Sequence, residues 1–315
     1  MTNENLPKII VMLGPTAAGK TGWSLELAPE IEAEIISADS RQVYKYMDIG
    51  TNKPKGENQW FIGPGGTPQR AYFIKNIPHY LIDIIDPDRD FNLAKFQSKA
   101  KDRIDLILKK DKTPMLVGGS GLYIQSIVDN YQLPQIPPNE NLRDALESFT
   151  NEQLVDILNK VDPTSAEKIE QNNTRRLIRA IEVSTSVGEP FSELKGSGDK
   201  LYDVIQIGVK VDRDELYEKI NQRVEKMFDQ GLKEEVAKLK DKYSWELSSM
   251  NSIGYQEFKP YFEGEVELKQ VKENIKTNTR NYAKRQLSWF KRFDRINWCE
   301  SLAQAKKKID NFLNK

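Results

Sequence analysis

Apolar positions in this chain fall into two patterns. Short continuous runs predict buried strands: Ile9-Ile10-Val11-Met12-Leu13, Glu34-Ile35-Ile36-Ser37, Pro114-Met115-Leu116-Val117 and Asp203-Val204-Ile205-Gln206-Ile207-Gly208-Val209. Tyr80-Leu81-Ile82 and Arg295-Ile296-Asn297-Trp298 predict two more short ones. Other stretches predict helices: Lys20 to about Leu27, Phe91 to about Lys110 (with Phe91, Phe96, Ile104, Ile107 and Leu108 apolar) and Leu122 to Val128. Strands alternating with helices predict a parallel α/β sheet. Residues from about Gly50 to Pro78, with Thr51-Asn52-Lys53-Pro54-Lys55-Gly56 and Gly63-Pro64-Gly65-Gly66-Thr67-Pro68, carry turn chemistry and predict loop.

From about Asp129 to Lys200 the pattern changes. Pro134, Pro137 and Pro138 mark a boundary, and helical periodicity follows at Asn141–Phe149, Glu152–Asn159, Pro163–Ile169 and Thr174–Val187 before Gly188, Gly196 and Gly198 close it. The strand at Asp203–Val209 then resumes the sheet, so residues 129–200 are expected to be a helical insertion over the ligand edge of a core built from 1–128 and 201–315. Four more helices are predicted at Asp212–Gln230, Leu232–Lys242, Glu267–Phe293 and Ser301–Asn314.

Composition narrows the class. The 315 residues suit about two domains, 30% of them are charged, and 47 Lys and Arg balance 47 Asp and Glu, so any nucleic-acid affinity must come from how charge is distributed. A single cysteine, Cys299, excludes an internal disulfide framework and a cysteine-based zinc site, and fits a reducing cytosol. Residues 1–5 carry no basic region and the apolar run behind them ends at Gly14, which reads as a buried strand and not a signal peptide. No apolar stretch approaches the ~18 residues a membrane span needs, and a cytoplasmic protein is expected.

Gly14-Pro15-Thr16-Ala17-Ala18-Gly19-Lys20-Thr21 has the spacing G-x-x-x-x-G-K-[ST] between a strand and a helix. The glycines allow successive N–H groups to face inward on an anion, the helix start adds its dipole, Lys20 reaches phosphate oxygens, and Thr21 can hold magnesium (Mg2+). Asp39 follows the second strand, so it lies at the same carboxyl edge, where it can bind a metal or act as a base, or be a surface residue, with Asp39 or Ser40 capping the next helix. Gly118-Gly119-Ser120-Gly121 repeats the strand–glycine–helix pattern where a nucleotide kinase or ATPase would carry an aspartate; Asp83 is the runner-up carboxylate. Ser120 can donate to a ligand or cap the helix.

Arg175, Arg176 and Arg179 cluster on one helix, with Glu170 and Glu182 flanking them. Lys269–Arg295 holds nine Lys and Arg against Glu273 and Asp294, interleaved with Tyr282, Trp289 and Phe290. That is either a nucleic-acid footprint or a core face with basic neighbours pointing outward. Arg223 can be directed at phosphate, although a surface pair with a carboxylate is the simpler expectation. His79, the one histidine, is expected to be a satisfied structural side chain, and Cys299 a small buried one.

Further blocks carry a family resemblance. Ser37-Ala38-Asp39-Ser40-Arg41-Gln42-Val43-Tyr44-Lys45-Tyr46-Met47-Asp48-Ile49-Gly50-Thr51 resembles the S-A-D-S-x-Q-V-Y-x-x-M-D-I-G-T signature of the tRNA dimethylallyltransferases (isopentenyl-diphosphate:tRNA transferases). Val117–Tyr123, Arg175–Val183, Ser252–Glu257 and Tyr282–Phe290 are similar to later blocks of that family, in the same order. The resemblance implies a P-loop NTPase-like core with an inserted all-helical domain and basic C-terminal helices. It implies transfer of a dimethylallyl group from dimethylallyl diphosphate to N6 of the adenine 3′-adjacent to the anticodon. Asp39 would then be the general base, while Lys20, Thr21, Mg2+ and Arg223 would stabilise the departing pyrophosphate. The target base would be flipped out of its stack. By the same resemblance, Asp39, Ser40, Arg41, Gln42, Ser120 (often Thr in the family), Arg175, Arg176, Leu177, Ile178, Arg179, Asn251, Ser252, Ile253, Gly254, Tyr255 and Gln256 align with segments that contact the tRNA anticodon stem-loop.

Glu57–Ile77, with Trp60, Phe61, Tyr72 and Phe73, departs from the family pattern and reads as an inserted surface loop or a mobile flap, dispensable for the fold. The absence of Cys/His pairs near the C-terminus points to a bacterial-type enzyme without a zinc finger, and nothing in the sequence calls for more than a monomer. Two other readings stay open: a small-molecule or nucleotide kinase with ATP in the loop, and a non-catalytic RNA-binding module.

Overall fold

A computed structural model describes residues 6–133, 136, 139–194 and 196–314. The expectations for residues 1–5 and for the boundary at Pro134, Pro137 and Pro138 lie outside the described residues. The chain begins with β1 (Lys8–Leu13), α1 (Lys20–Glu30) and β2 (Ala33–Ala38), then β3 (Glu57–Ile62), β4 (Pro68–Ile74) and β5 (Ile77–Tyr80), then α2 (Leu93–Leu108), β6 (Thr113–Gly118) and α3 (Gly121–Val128). A middle stretch holds β7 (Tyr131–Gln132), α4 (Glu140–Glu147), α5 (Asn151–Val161), α6 (Pro163–Lys168), α7 (Thr174–Val187) and β8 (Gly196–Ser197). The remainder is β9 (Asp203–Val209), α8 (Arg213–Asp229), α9 (Leu232–Lys240), α10 (Lys259–Phe262), α11 (Leu268–Phe290), β10 (Ile296–Cys299) and α12 (Leu302–Leu313). Two compact units result: Met1–Val128 with Leu201–Lys315, and Asp129–Lys200.

The first unit is built on a sheet of order β10-β9-β1-β6-β2-β5-β4-β3. From β10 to β5 the pairs are parallel, and β4 and β3 are added antiparallel. β1 shows why the run of apolar residues is unbroken. Ile9, Val11 and Leu13 pack on one face with Phe96, Ile104, Ile124 and Phe290, from α2, α3 and α11. Ile10 and Met12 pack on the other with Leu27 of α1 and Ile309 of α12. A strand covered on both faces has no position for a polar side chain, and each such residue contributes roughly 1.5–3 kcal/mol by burial. Around Tyr44, Tyr255 and Phe258 a third cluster joins the segment after β2 to α8, α9 and α11.

The expected loop between Gly50 and Pro78 is instead a β-hairpin that extends the sheet. β3 pairs with β4 from Glu57↔Phe73 to Ile62↔Pro68, and β4 pairs with β5. The turn closes through Gly63 N–H to the Thr67 carbonyl at 2.8 Å, with Gly65 and Gly66 at positive φ of 71° and 75°. β3 is the sheet's outer edge, with Trp60 and Ile62 each 72% exposed, so it has no buried face and no alternation for a sequence pattern to reveal. Phe61 meets Phe73 edge-on, and Ala71, Tyr72 and Ile74 are buried, so the segment is not a detachable loop. The short strand expected at Tyr80–Ile82 ends at Tyr80, because Leu81 takes a φ of 62°.

His79 on β5 is buried. Its Nδ1–H donates to the Ile77 carbonyl at 2.9 Å, but Nε2 has no partner among the described residues, so the side chain is only half satisfied there. Burial lowers its pKa to about 4. Cys299 is buried as expected.

The unit 129–200 has its own core of Leu146, Leu154, Leu158, Leu177 and Ile181. Its helices start on side-chain caps: Asn139, Thr150 (a capping box with Gln153), Asp162 and Asn173. Glu182, 0% exposed, accepts from Asn139 N–H and from Arg143 and pairs with Arg179; without those donors a buried carboxylate would be costly.

Candidate active site at the carboxyl edge of the sheet

β1 delivers the glycine loop to the sheet edge. Gly14 (φ 147°) and Gly19 (φ 95°) take conformations that side chains disfavour, and Ala17 takes one at φ 65°. Gly19 caps α1 without a side chain, so the first N–H groups of the helix are left for a ligand. The Lys20 ammonium donates to the Pro15 carbonyl at 2.6 Å, across the loop. Its pKa is lowered to about 7 by burial and then by the charge of Arg223, with Asp39 acting in the opposite direction.

Arg223 of α8 does not form the surface carboxylate pair expected of it. The Arg223 guanidinium is turned to the loop, where Nη1 donates to Thr16 Oγ1 at 3.0 Å, and burial lowers its pKa against the attraction of Asp39. Lys20, Arg223 and Asp39 therefore lie within electrostatic reach of one another.

Asp39 follows β2 and uses one oxygen for structure. Oδ1 accepts from the backbone N–H groups of Arg41 (2.8 Å) and Gln42 (3.2 Å), while Oδ2 has no partner among the described residues. The turn is tied to the second glycine loop: Ser120 N–H donates to Ala38 O and Ser40 N–H donates to Ser120 Oγ, both at 3.2 Å. A Cβ on Gly118 would lie 2.1 Å from the Ala38 carbonyl oxygen, so only glycine lets these turns approach. The hydroxyl of Tyr282 on α11 is pushed up to about 12 by burial and then by the charge of Asp39.

Thr21, exposed at the start of α1, has no hydrogen-bond partner for its hydroxyl among the described residues, and no group of three or more His, Cys, Asp or Glu there could cage a metal. A free hydroxyl beside the glycine loop fits Mg2+, which keeps most of its waters and takes one or two protein oxygens together with phosphate oxygens. Asp83 is committed elsewhere: Oδ1 accepts from Lys53 at 2.8 Å and Oδ2 from Asn58 at 2.7 Å. Lys53, its side chain 1% exposed, also donates to Tyr44 O and Asp48 Oδ1, at 2.8 and 2.5 Å. The carboxylate that a kinase reading would use is thus part of a structural network.

The residues aligned with tRNA contacts divide. Arg41 Nη1 donates to Ser248 O at 2.5 Å, and Gln42 Nε2 donates to Thr51 O and Asn52 O. Tyr255 is buried: its hydroxyl donates to Glu235 at 2.6 Å, and Glu235 also accepts from the N–H groups of Asp48, Ile49 and Gly50. A Cβ on Gly50 would meet the Tyr255 ring at 2.4 Å, which accounts for the glycine in that block. Ser252 and Gly254 are buried with Tyr255, whereas Asn251 is exposed and Ile253 and Gln256 are half-exposed. On α7, Leu177 and Ile178 are core residues, Arg179 is held by Glu182, and Arg175 and Arg176 are exposed without a carboxylate partner among the described residues.

On α11, Lys272 and Lys276 pair with Glu225 at 2.6 and 2.7 Å, whereas Lys284 and Arg285 on the helix, and Lys291 and Arg292 just after it, are exposed. Sequence reasoning did not single out Gln286, whose side chain bonds both glycine loops: Oε1 accepts from Thr16 N–H and Nε2 donates to Gly119 O, each at 2.8 Å. Nothing local marks that residue; its partners lie 270 and 167 positions away.

Residues 42–293 match the model of a family described as IPP transferase. A tRNA dimethylallyltransferase of Anoxybacillus flavithermus is 42% identical over 293 residues, covering 92% of this chain and 89% of that protein. The solved tRNA isopentenylpyrophosphate transferase of Bacillus halodurans is 36% identical with a TM-score of 0.69, over 98% of this chain and 95% of the other. A eukaryotic dimethylallyltransferase solved acting on tRNA is 25% identical with a TM-score of 0.79, over 98% of this chain and 80% of that one.

Proposed function

The chain belongs to the IPP transferase family, the prenyl-transferring tRNA dimethylallyltransferases, and we propose that its own sheet edge carries the reaction as follows. The glycine loop Gly14–Thr21 holds the diphosphate of dimethylallyl diphosphate. The exocyclic N6 of the adenine 3′-adjacent to the anticodon attacks the allylic carbon, a C–N bond forms, and the C–O bond breaks with its electron pair leaving on pyrophosphate. Asp39 takes the N6 proton. Lys20, Arg223 and the N–H groups at the start of α1 face the charge that grows on the leaving group. When bound, Mg2+ supplies further neutralisation of the diphosphate, and Thr21 is the residue that would hold it.

The observation that carries this reading is Asp39. One oxygen is fixed by two backbone donors, the other is free, and the group lies within electrostatic reach of Lys20 and Arg223. An oriented, half-satisfied carboxylate beside an anion clamp suits removal of a proton from a weak nucleophile during displacement of pyrophosphate.

We assign tRNA recognition to the exposed cations Arg175 and Arg176 in the helical unit 129–200, to Lys284, Arg285, Lys291 and Arg292, and to the accessible residues Asn251, Ile253 and Gln256. The partner is the anticodon stem-loop, and the protein acts as a monomer in the cytoplasm. No described helix is long and apolar enough to cross a membrane.

Transfer from labelled dimethylallyl diphosphate to unmodified tRNA tests the proposal. Label in tRNA that requires magnesium and vanishes in Asp39→Ala supports it. Phosphorylation of a small molecule from ATP without tRNA would replace it with a kinase, and tight tRNA binding without turnover would leave only an RNA-binding module.

A further inference from the structure

We propose that Gln286 is a positioning residue for this reaction, a strut that locks the diphosphate loop to the turn carrying Ser120. The role rests on the transfer reaction proposed above. β1 and β6 are neighbours in the sheet, and their last paired residues are Leu13 and Gly118. Beyond that pair the ladder ends, so the two glycine turns need another connection to keep a fixed spacing. Gln286, 6% exposed, supplies it. The assignment of its two amide atoms follows from chemistry: the Thr16 N–H can only donate and the Gly119 carbonyl can only accept. Gly119 makes room for the strut, since a Cβ there would lie 2.2 Å from Gln286 Nε2.

The strut completes a continuous path across the site. Arg223 holds the Thr16 hydroxyl, Gln286 holds the Thr16 backbone and Gly119, Ser120 holds Ser40, and Ser40 follows Asp39. The leaving-group clamp and the base are thereby placed in one rigid frame. Displacement at carbon requires both at once, and errors of an ångström in such a frame cost large factors in rate.

The test uses the full-length protein, with steady-state transfer, thermal unfolding and calorimetric pyrophosphate binding measured together. Gln286→Glu keeps an acceptor for Thr16 N–H but sets a carboxylate oxygen against the Gly119 carbonyl. It is expected to lower kcat about tenfold or more while changing the KM for dimethylallyl diphosphate by less than about threefold. Gln286→Leu loses both bonds and is expected to raise that KM about tenfold as well, and to weaken pyrophosphate binding by a similar factor. Gly119→Ala displaces the amide without altering it and should reproduce the kcat loss, which keeps the test alive if a Gln286 variant does not fold. Parent-like kcat and KM in folded Gln286→Glu and Gly119→Ala would overturn the proposal. So would a loss that merely follows melting and disappears at lower temperature. A parent enzyme that transfers nothing would count against the reaction itself; in that case the Gln286→Leu effect on pyrophosphate binding still decides whether the strut shapes the loop.

Discussion

Arg223 and Thr16 lie 207 positions apart and meet at 3.0 Å, the guanidinium of one donating to the hydroxyl of the other. A helix of the C-terminal region is thus tied to the N-terminal glycine loop. Arg223→Gln is expected to lower kcat/KM for dimethylallyl diphosphate about 10²–10³-fold, the scale of losing one preorganised charge from a leaving-group site. The Kd for tRNA should change little. Equal losses in both would place Arg223 in RNA binding instead.

Lys20 gives a pH signature. Its folded pKa of about 7 lies below the ordinary value of 10.5 that the unfolded chain keeps, because burial and Arg223 disfavour the charge. Below pH 7 the group is protonated in both the folded and unfolded states and its burial is fully destabilising. Between pH 7 and 10.5 the unfolded chain binds more protons, so this contribution to stability rises with pH. Denaturant titrations of the ligand-free protein from pH 6 to 9 should show that rise relative to Lys20→Met. Diphosphate favours the protonated form, so binding at pH 8 should take up protons, measurable by calorimetry in buffers of different ionisation enthalpy. Identical pH dependence in parent and Lys20→Met would refute the assignment.

Two arginines on α7 should behave differently. Arg176 is exposed without a carboxylate partner among the described residues, and Arg176→Ala is expected to weaken tRNA binding and to reduce the slope of log Kd against log salt by about one. Arg179 holds Glu182, which is 0% exposed, so Arg179→Ala should cost stability. The loss is about 1–3 kcal/mol, below the figure for a fully buried pair because the arginine is partly solvated and Arg143 remains. Thermal unfolding and filter binding on both variants separate the two roles.

The hairpin β3–β4 should not be removable without cost. Deleting residues 57–77 takes away buried Ala71, Tyr72 and Ile74 and the Asn58 donor to Asp83, and is expected to lower the Tm by several degrees. Trp60→Thr, at a position 72% exposed on the outer edge, should leave the Tm nearly unchanged. An unaltered Tm in the deletion would show that the segment is the loop its turn residues suggest.

Local chemistry made much of this protein legible before its structure. The loop Gly14–Thr21 carries its glycines, lysine and threonine at fixed spacing, so eight consecutive residues predict the turn that joins β1 to α1 and mark it as a candidate anion site. The central strands are readable because the sheet is covered on both faces, which leaves Ile9 to Leu13 of β1 without a polar side chain. Asp39 is placed at the ligand edge simply by following a buried strand.

Tertiary structure decided what local pattern could not express. β3 has no buried face, so its strand character comes only from the partner it pairs with. Arg176 and Arg179 are equivalent by spacing, and packing against buried Glu182 alone assigns one to scaffold and leaves the other exposed. Tyr255 and Gly50 belong to different sequence blocks, and the glycine is understood only when the ring is seen against it. Gln286 is one polar residue among many on a basic helix until the folded chain brings Thr16 and Gly119 to its two ends. Contacts across such separations leave no periodic trace in the sequence, because they depend on where the whole sheet places its edges.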